Sequence, residues 1–201
     1  MEEREQRRED LEEYAAVLDY LPIGRSSSAR AEPLVQLLGE TRFTLLEAVP
    51  KGTEIKVGET VYIGKGDREK VSLIKSRLSY ADLTEGAKKE LPIAISAIVK
   101  KNEKKFVDMF NNAGALNIRM HSLELLPNVG KKHLAAILDA RDERPFESFA
   151  DITARVSLLQ DPVKLIVERV VVELKGESRF YLLTKPPAAS HEHEHERGGR
   201  Y

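Results

Sequence analysis

The segment Leu123-Glu-Leu-Leu-Pro-Asn-Val-Gly-Lys-Lys-His-Leu-Ala135 joins two stretches in which apolar residues recur at helical spacing. Pro127 ends the first helix, because proline clashes with the preceding turn and disfavours a helical residue before it. Gly130 permits a close approach of the backbone to another molecule. The first amides of the second helix lack partners within that helix and lie at the positive end of its dipole. With Lys131 and Lys132 beside them, they form a candidate phosphate site.

The pattern Leu-Pro-x-[Val/Ile]-Gly-[Lys/Arg]-Lys resembles the helix-hairpin-helix motif, which recurs in DNA- and RNA-binding proteins. Contacts with phosphate are largely independent of base sequence. The candidate nucleic-acid contacts in this segment are Pro127, Asn128, Val129, Gly130, Lys131, Lys132 and His133. The alternative is an ordinary corner between two helices that serves only for packing.

The composition excludes several classes of protein. The 201 residues suit one large domain or two small ones, and 41% of them are hydrophobic. Because the chain has no Cys, disulfides, thiolate metal sites and cysteine nucleophiles are excluded. The start of the chain is charged rather than apolar, unlike a signal peptide, and no apolar run approaches the roughly 20 residues of a membrane span. We therefore expect a cytoplasmic protein without membrane contacts.

The charge is distributed unevenly along the chain. The net charge of −1 does not by itself favour a nucleic-acid partner. Residues 51–133, however, carry 16 basic and 10 acidic side chains, whereas residues 1–50 and 134–201 are net acidic. This basic third includes the 123–135 segment except for its last two residues. Such a charge distribution favours a local phosphate-binding surface. Solvated helix faces rich in Lys are the alternative.

The N-terminal part is rich in short apolar runs punctuated by Gly and Pro. Residues 1–13 read as a charged extension, and residues 14–66 are predicted to form a small OB-like or SH3-like β-barrel. Strands are expected at residues 14–21, 43–49 and 60–63. Residues 33–39 fit either a strand or a helix.

A glycine-flanked lysine, Gly64-Lys65-Gly66, follows the last of these strands. Glycine pairs of this kind are typical of tight turns. Lys65 is a further candidate contact with phosphate, although the spacing is not that of a P-loop.

Residues 67–115 are predicted to be a helical connector. The spacing of Val71, Ile74, Lys75 and Leu78 favours one helix, and Thr84 is a candidate N-cap of the next. A long helix then carries lysines on its surface, which form either a solvated face or a phosphate contact: Lys100, Lys101, Lys104 and Lys105.

Residues 116–176 are predicted to form an all-α helix-hairpin-helix domain, so that the fold class is α+β. The first hairpin is expected to pair a helix at 119–126 with one at 130–141. Helices at 149–156, capped by Ser148, and from Asp161-Pro162 to Gly176 suggest a degenerate second hairpin without the glycine and lysines.

The C-terminal end is predicted to hold a short strand within 177–185 and a disordered tail at 186–201. The tail contains His191-Glu-His-Glu-His-Glu196, in which imidazole and carboxylate alternate. Such side chains ligate zinc-like ions, but an unstructured tract is the alternative that we favour.

The sequence predicts no enzyme, no catalytic residues, no cofactor and no metal site. Lys132 lies where a base-excision glycosylase of the helix-hairpin-helix class has its attacking lysine. The aspartate that such an enzyme needs about eighteen residues later is missing, because position 150 is Ala and Asp151 begins a helix. His121 and His133 flank the hairpin as packing or phosphate-side groups rather than as a catalytic pair.

Several stretches together resemble the archaeal DUF655 family, and the resemblance covers residues 14–185. They are Tyr14–Gly24, Phe43–Pro50, Val61–Gly66, His121–Lys132 and Asp161–Arg169. The resemblance implies a β-barrel-like part joined to a helix-hairpin-helix part, and an RNA-binding protein linked to translation or ribosome biogenesis. Asn128 stands where the motif usually has Gly, which is expected to weaken phosphate affinity.

The expected partner is therefore the phosphate backbone of RNA or DNA, with RNA favoured by the resemblance. The rival interpretation is a protein–protein scaffold whose basic middle faces an acidic partner. The two interpretations differ in one observable, the salt-sensitive binding of free nucleic acid.

Overall fold

The computed structural model describes residues 11–25, 31–52 and 54–186, which form a curled antiparallel sheet and five α-helices. The class is α+β, as predicted. The strands of the main sheet are β1 (Tyr14–Leu21), β2 (Leu34–Gly39), β3 (Leu45–Pro50), β4 (Thr60–Tyr62) and β5 (Val71–Arg77). The helices are α1 (Glu85–Lys101), α2 (Glu103–Asn112), α3 (Lys131–Glu143), α4 (Phe149–Arg155) and α5 (Pro162–Leu174). A small hairpin of β6 (Ala115–Asn117) and β7 (Met120–His121) lies between α2 and α3.

The five strands are ordered β4-β1-β2-β3-β5, and every neighbouring pair is antiparallel. The predicted strand at 14–21 is confirmed, and the strands predicted at 43–49 and 60–63 are confirmed with ends shifted by one or two residues. All six residues of β2 are buried. A strand covered on both faces has no polar alternation, which explains why 33–39 fits a strand or a helix equally well.

Two apolar cores lie on the two faces of the sheet. The core inside the curl is built from alternate residues of the strands, among them Val17, Leu37 and Ala48. The larger core lies between the outer face and the helices, and contains Leu18 and Leu38 of the sheet. Because side chains point alternately to opposite faces of a strand, one strand supplies both cores.

The helix predicted from Val71, Ile74 and Leu78 is wrong, because residues 71–77 form the edge strand β5. Its register with β3 shifts twice, once near Val71 and once near Ile74. Each shift inserts an extra residue into β5, and the first of these, Ser72, lies between the buried Val71 and the half-buried Ile74, which are therefore three residues apart. The bulges thus produce a spacing that looks helical.

Three helix starts are confirmed, and each is capped by its own side chain. Thr84 accepts a hydrogen bond from Ala87 N, Ser148 from Asp151 N and Asp161 from Val163 N. The long lysine-bearing helix is interrupted at Asn102, whose side-chain amide donates to the carbonyl of Ile98 at 2.9 Å. It therefore forms two helices, α1 and α2.

The first helix of the predicted hairpin, at 119–126, is also wrong. Residues 120–121 form β7, and residues 122–125 form a single 3₁₀ turn. His121 and Glu124 make a capping box that starts this turn, and Pro127 prevents its continuation. Only one helical turn therefore fits between the cap at His121 and Pro127.

The short strand predicted within 177–185 is not formed. The backbone amides of Leu182, Leu183 and Thr184 donate to the carboxylate of Glu173, at 2.7, 3.0 and 2.8 Å. These amides are therefore not available to a neighbouring strand. Glu173, which is buried in α5, holds the segment instead.

Two predictions fall outside the described residues: most of the charged extension, and the tail with its His/Glu tract from 187. Across the described ranges, no helix is long and apolar enough to cross a membrane.

Candidate nucleic-acid interface

A β-turn precedes α3 and sets the geometry of the candidate site. The amide of Val129 donates to the carbonyl of Leu126 at 3.2 Å, with Pro127 and Asn128 at the two central positions. Asn128 has φ +61°, and a turn with Pro second and positive φ third is of type II. This position favours glycine, and Asn is one of the few other residues that tolerate it. Asn128 thus occupies the position at which the helix-hairpin-helix motif usually has Gly.

The N-terminus of α3 is open. Gly130 is the N-cap residue, no side chain caps the helix, and its first turn contains no acidic residue. Gly130 is exposed, and a Cβ atom built on it would meet no atom within 4 Å apart from those of its two chain neighbours, so the space beside this residue is open. The first amides of α3 are therefore donors without a partner in the helix, at the positive end of a helix of 13 residues.

The second turn, from Val156 to Leu159, has the same hydrogen bond but a closed helix start. Leu159 N donates to Val156 O at 2.9 Å, as Val129 N does to Leu126 O. The following helix, α5, begins with Asp161, whose carboxylate accepts from Val163 N at 2.9 Å. The carboxylate occupies the position that an external anion would take, so this turn offers no equivalent site.

The two lysines at the N-terminus of α3 differ in their surroundings. Lys131 is 75% exposed, and its ammonium lies 3.1 Å from Glu124 Oε1. Lys132 is exposed, and its side chain makes no hydrogen bond or ion pair with any other described residue. Lys132 therefore offers its charge to a ligand without first breaking an interaction.

Glu124 links Lys131 to the 3₁₀ turn. Its Oε2 accepts a hydrogen bond from His121 N at 2.7 Å. This backbone hydrogen bond and the Lys131 ammonium lower the pKa of Glu124, which is thus ionised at neutral pH. The carboxylate offsets part of the Lys131 charge.

The two histidines have different positions. His133 is half-buried in the first turn of α3, beside Lys132. His121 caps the 3₁₀ turn, and its Nδ1 accepts from Leu123 N at 3.2 Å. Burial, together with nearby Arg141, lowers the pKa of His121 and favours its neutral form. His121 is thus a structural cap.

Lys65 lies apart from this site, at the exit of the edge strand β4. Tyr62 OH donates to Lys65 O at 2.7 Å, and Arg68 Nε donates to Gly64 O at 2.8 Å. A Cβ on Gly64 would lie 2.6 Å from the Tyr62 hydroxyl, so glycine is needed for this close packing. No hydrogen bond or ion pair among the described residues links Lys65 to the turn before α3.

The lysines around the break between α1 and α2 are partly engaged. Lys101 pairs with Glu40 at 2.7 Å, and Lys105 donates to the carbonyl of Thr41 at 2.9 Å. Burial and nearby Arg42 lower the pKa of Lys105. These contacts favour a structural role for Lys101 and Lys105.

Sequence reasoning missed the β6–β7 hairpin, whose tip reaches the open helix start. The ammonium of Lys131 lies 3.4 Å from the carbonyl oxygen of Arg119 in that tip. Asn117 was a local sequence signal for this hairpin, because asparagine favours turns. In the structure its Oδ1 accepts a hydrogen bond from Arg119 N at 2.9 Å. Within residues 11–25, 31–52 and 54–186, no three His, Asp or Glu side chains are grouped to hold a metal ion.

Comparison with known proteins gives three consistent findings. The model of the family described as "Protein of unknown function (DUF655)" matches residues 11–185. The uncharacterized protein MJ0038 of Methanocaldococcus jannaschii is 41% identical over 178 residues, which cover 87% of this chain and 81% of that protein. The crystal structure of Af1531 from Archaeoglobus fulgidus superimposes with a TM-score of 0.81 at 50% identity, covering 87% of this chain and 100% of that chain.

Proposed function

The chain belongs to the DUF655 family, and from that premise we propose that it is a nucleic-acid-binding protein whose ligand is RNA. We assign residues 122–143 as a variant helix-hairpin-helix in which a 3₁₀ turn replaces the first helix. The curled sheet is assigned as an OB-like half-barrel that supports this element. We favour RNA over DNA because of the resemblance to the DUF655 family, and matched RNA and DNA probes distinguish the two ligands.

The open N-terminus of α3 is the observation that carries the proposal. Three of the other four α-helices begin with a side chain that caps their first amides, whereas α3 begins with Gly130 and an unobstructed approach. Helix N-termini of this kind bind anions through their amides. Lys132, with its uncompensated charge, lies beside them, and a phosphate group matches both features.

The contact is expected to cover few phosphates. The amides of α3 and the Lys132 ammonium account for one or two, and Lys131 joins them only by leaving Glu124. With one or two phosphates contacted, the slope of log K against log salt is expected to be about −1 to −2. Because these contacts are to phosphate rather than to bases, binding is expected to depend weakly on base sequence.

Fluorescence anisotropy with matched single- and double-stranded RNA and DNA probes tests the proposal. Lys132→Glu is expected to abolish binding at moderate salt, whereas Lys89→Glu, the same charge change on the exposed surface of α1, is expected to leave it unchanged. Gly130→Leu is expected to fold, because the space beside Gly130 is empty, and to lose binding because its side chain covers the amides. Unfolding curves of each variant provide the control for folding.

Two outcomes would contradict the proposal. Binding that survives both Lys132→Glu and Gly130→Leu would place the nucleic-acid site elsewhere. Absence of binding to every probe at low salt would favour the protein scaffold instead.

A further inference from the structure

The tip of the β6–β7 hairpin exposes an aliphatic side chain completely. Ile118 has a relative exposure of 104%, and Leu116 on the same hairpin is 41% exposed. A single exposed aliphatic residue is common on protein surfaces and needs no explanation. What distinguishes Ile118 is its position relative to the open start of α3.

Two cationic residues adjoin the exposed tip. Arg119 follows Ile118 in the chain, and its carbonyl oxygen lies 3.4 Å from the ammonium of Lys131. The tip and the first turn of α3 are thus separated by about the length of one lysine side chain. A strand of nucleic acid whose phosphate lies on α3 would therefore bring its neighbouring nucleotides to Ile118.

The hairpin that carries Ile118 is fixed at its base. Ser122 N and Oγ both donate to the carbonyl of Gly114, at 2.9 and 2.8 Å. Arg141 of α3 donates to the carbonyl of Ala113 at 2.8 Å, which ties the start of the hairpin to the helix that forms the phosphate site. These bonds hold the tip in place relative to α3.

Building on the proposed function, we propose that Ile118 is a wedge that enters a weakly paired base step beside the bound phosphate. Aliphatic side chains inserted between bases are an established way in which proteins deform nucleic-acid helices. Unstacking costs least where a base is mismatched or unpaired, and this site has few cations to offset the cost. The ligand class is therefore a nucleic-acid helix that contains a bulge or a mismatch.

A protein partner fits the tip less well. Stable protein–protein interfaces bury roughly 800 Å² on each partner. Two aliphatic side chains on a two-stranded hairpin provide far less, and cations rather than further apolar groups adjoin them. A nucleic acid uses both the apolar tip and the charges.

The test compares an RNA duplex that carries one bulged nucleotide with the fully paired duplex of the same sequence. The wild-type protein is expected to bind the bulged RNA about tenfold more tightly, since one aliphatic side chain is removed from water in that complex. A 2-aminopurine beside the bulge is expected to brighten on binding as its stacking is lost. Ile118→Ser should remove the preference and the brightening but retain the salt-sensitive binding of both duplexes.

Ile93→Ser is the matched control, because Ile93 is 61% exposed on α1 and is expected to keep the wild-type preference. If Ile118→Ser retains the preference and the brightening, the wedge is refuted while the phosphate contact stands. If the wild-type protein binds both duplexes equally and through Lys132, the wedge is refuted in the same way. If the wild-type protein binds neither RNA nor the matching DNA, the proposed function fails and the wedge with it.

Discussion

Replacement of Glu173 by Gln should strongly destabilise the protein. Glu173 is 1% exposed, and both of its carboxylate oxygens accept hydrogen bonds. Oε1 accepts from Arg169 Nε and Leu182 N, each at 2.7 Å. Oε2 accepts from Leu183 N at 3.0 Å and from the amide and hydroxyl of Thr184 at 2.8 and 3.0 Å. Every partner is a donor, so the site requires a group with two accepting oxygens.

The size of the effect follows from this geometry. A glutamine presents an NH₂ group to at least two of these donors and leaves the buried Arg169 guanidinium without a counter-charge. Breaking a buried ion pair by removing one partner costs about 3–5 kcal/mol. This is a large fraction of the roughly 5–15 kcal/mol that stabilises a folded protein. For a chain of this length the melting temperature should fall by roughly 6–20 °C.

Urea unfolding followed by circular dichroism measures the loss. Glu177→Gln is the matched control, because Glu177 is exposed just beyond α5 and its replacement should change stability by less than about 0.5 kcal/mol. Limited proteolysis provides a second readout, since release of residues 178–186 should speed tryptic cleavage of the Arg179–Phe180 bond. If Glu173→Gln does not fold, Thr184→Val removes a single donor and should cost about 1 kcal/mol. A loss for Glu173→Gln no larger than that for Glu177→Gln would refute the reasoning.

Two further predictions concern the turn before α3 and the cap beside it. Because Asn128 has φ +61°, Asn128→Val should lower the free energy of unfolding by about 1–2 kcal/mol, whereas Asn128→Gly should stay close to the wild-type value. Equal losses of both variants in urea unfolding would show that backbone strain is not the cause. Burial lowers the pKa of His121, so its contribution to stability is complete above the ordinary value of about 6.5 and is lost as the pH falls through the lowered value. His121→Asn keeps a capping oxygen but does not titrate, so its unfolding free energy should vary less than that of the wild type between about pH 5 and 7. Parallel pH profiles of the two proteins would contradict this assignment.

The elements that the sequence predicted correctly are those whose signals are local. Ser148 and the Asp161-Pro162 pair specify helix starts through bonds that span two or three residues. The turn before α3 is of the same kind, because one bond between Leu126 and Val129 closes it. The open helix start, with Gly130 as its cap residue, could therefore be read from the sequence.

The elements that were predicted wrongly depend on distant partners. The bulges of β5 exist only in its pairing with β3, and they give Val71 and Ile74 a misleading spacing. The segment after α5 follows Glu173 rather than a neighbouring strand, which no local pattern indicates. The approach of Arg119 to Lys131 is likewise a tertiary contact, so the neighbourhood of Ile118 could not be recognised from the sequence.

The core on the outer face of the sheet has a consequence for how the protein melts and for how it reports a ligand. Leu18 of β1, Ile95 of α1, Ile166 of α5 and Val129 of the turn before α3 all belong to that single cluster. A cut between the sheet and the later helices would expose this cluster on both fragments, so the two parts are expected to unfold as one cooperative unit with a single calorimetric transition. Binding at the start of α3 would then slow hydrogen exchange in β2, far from any contact with the ligand.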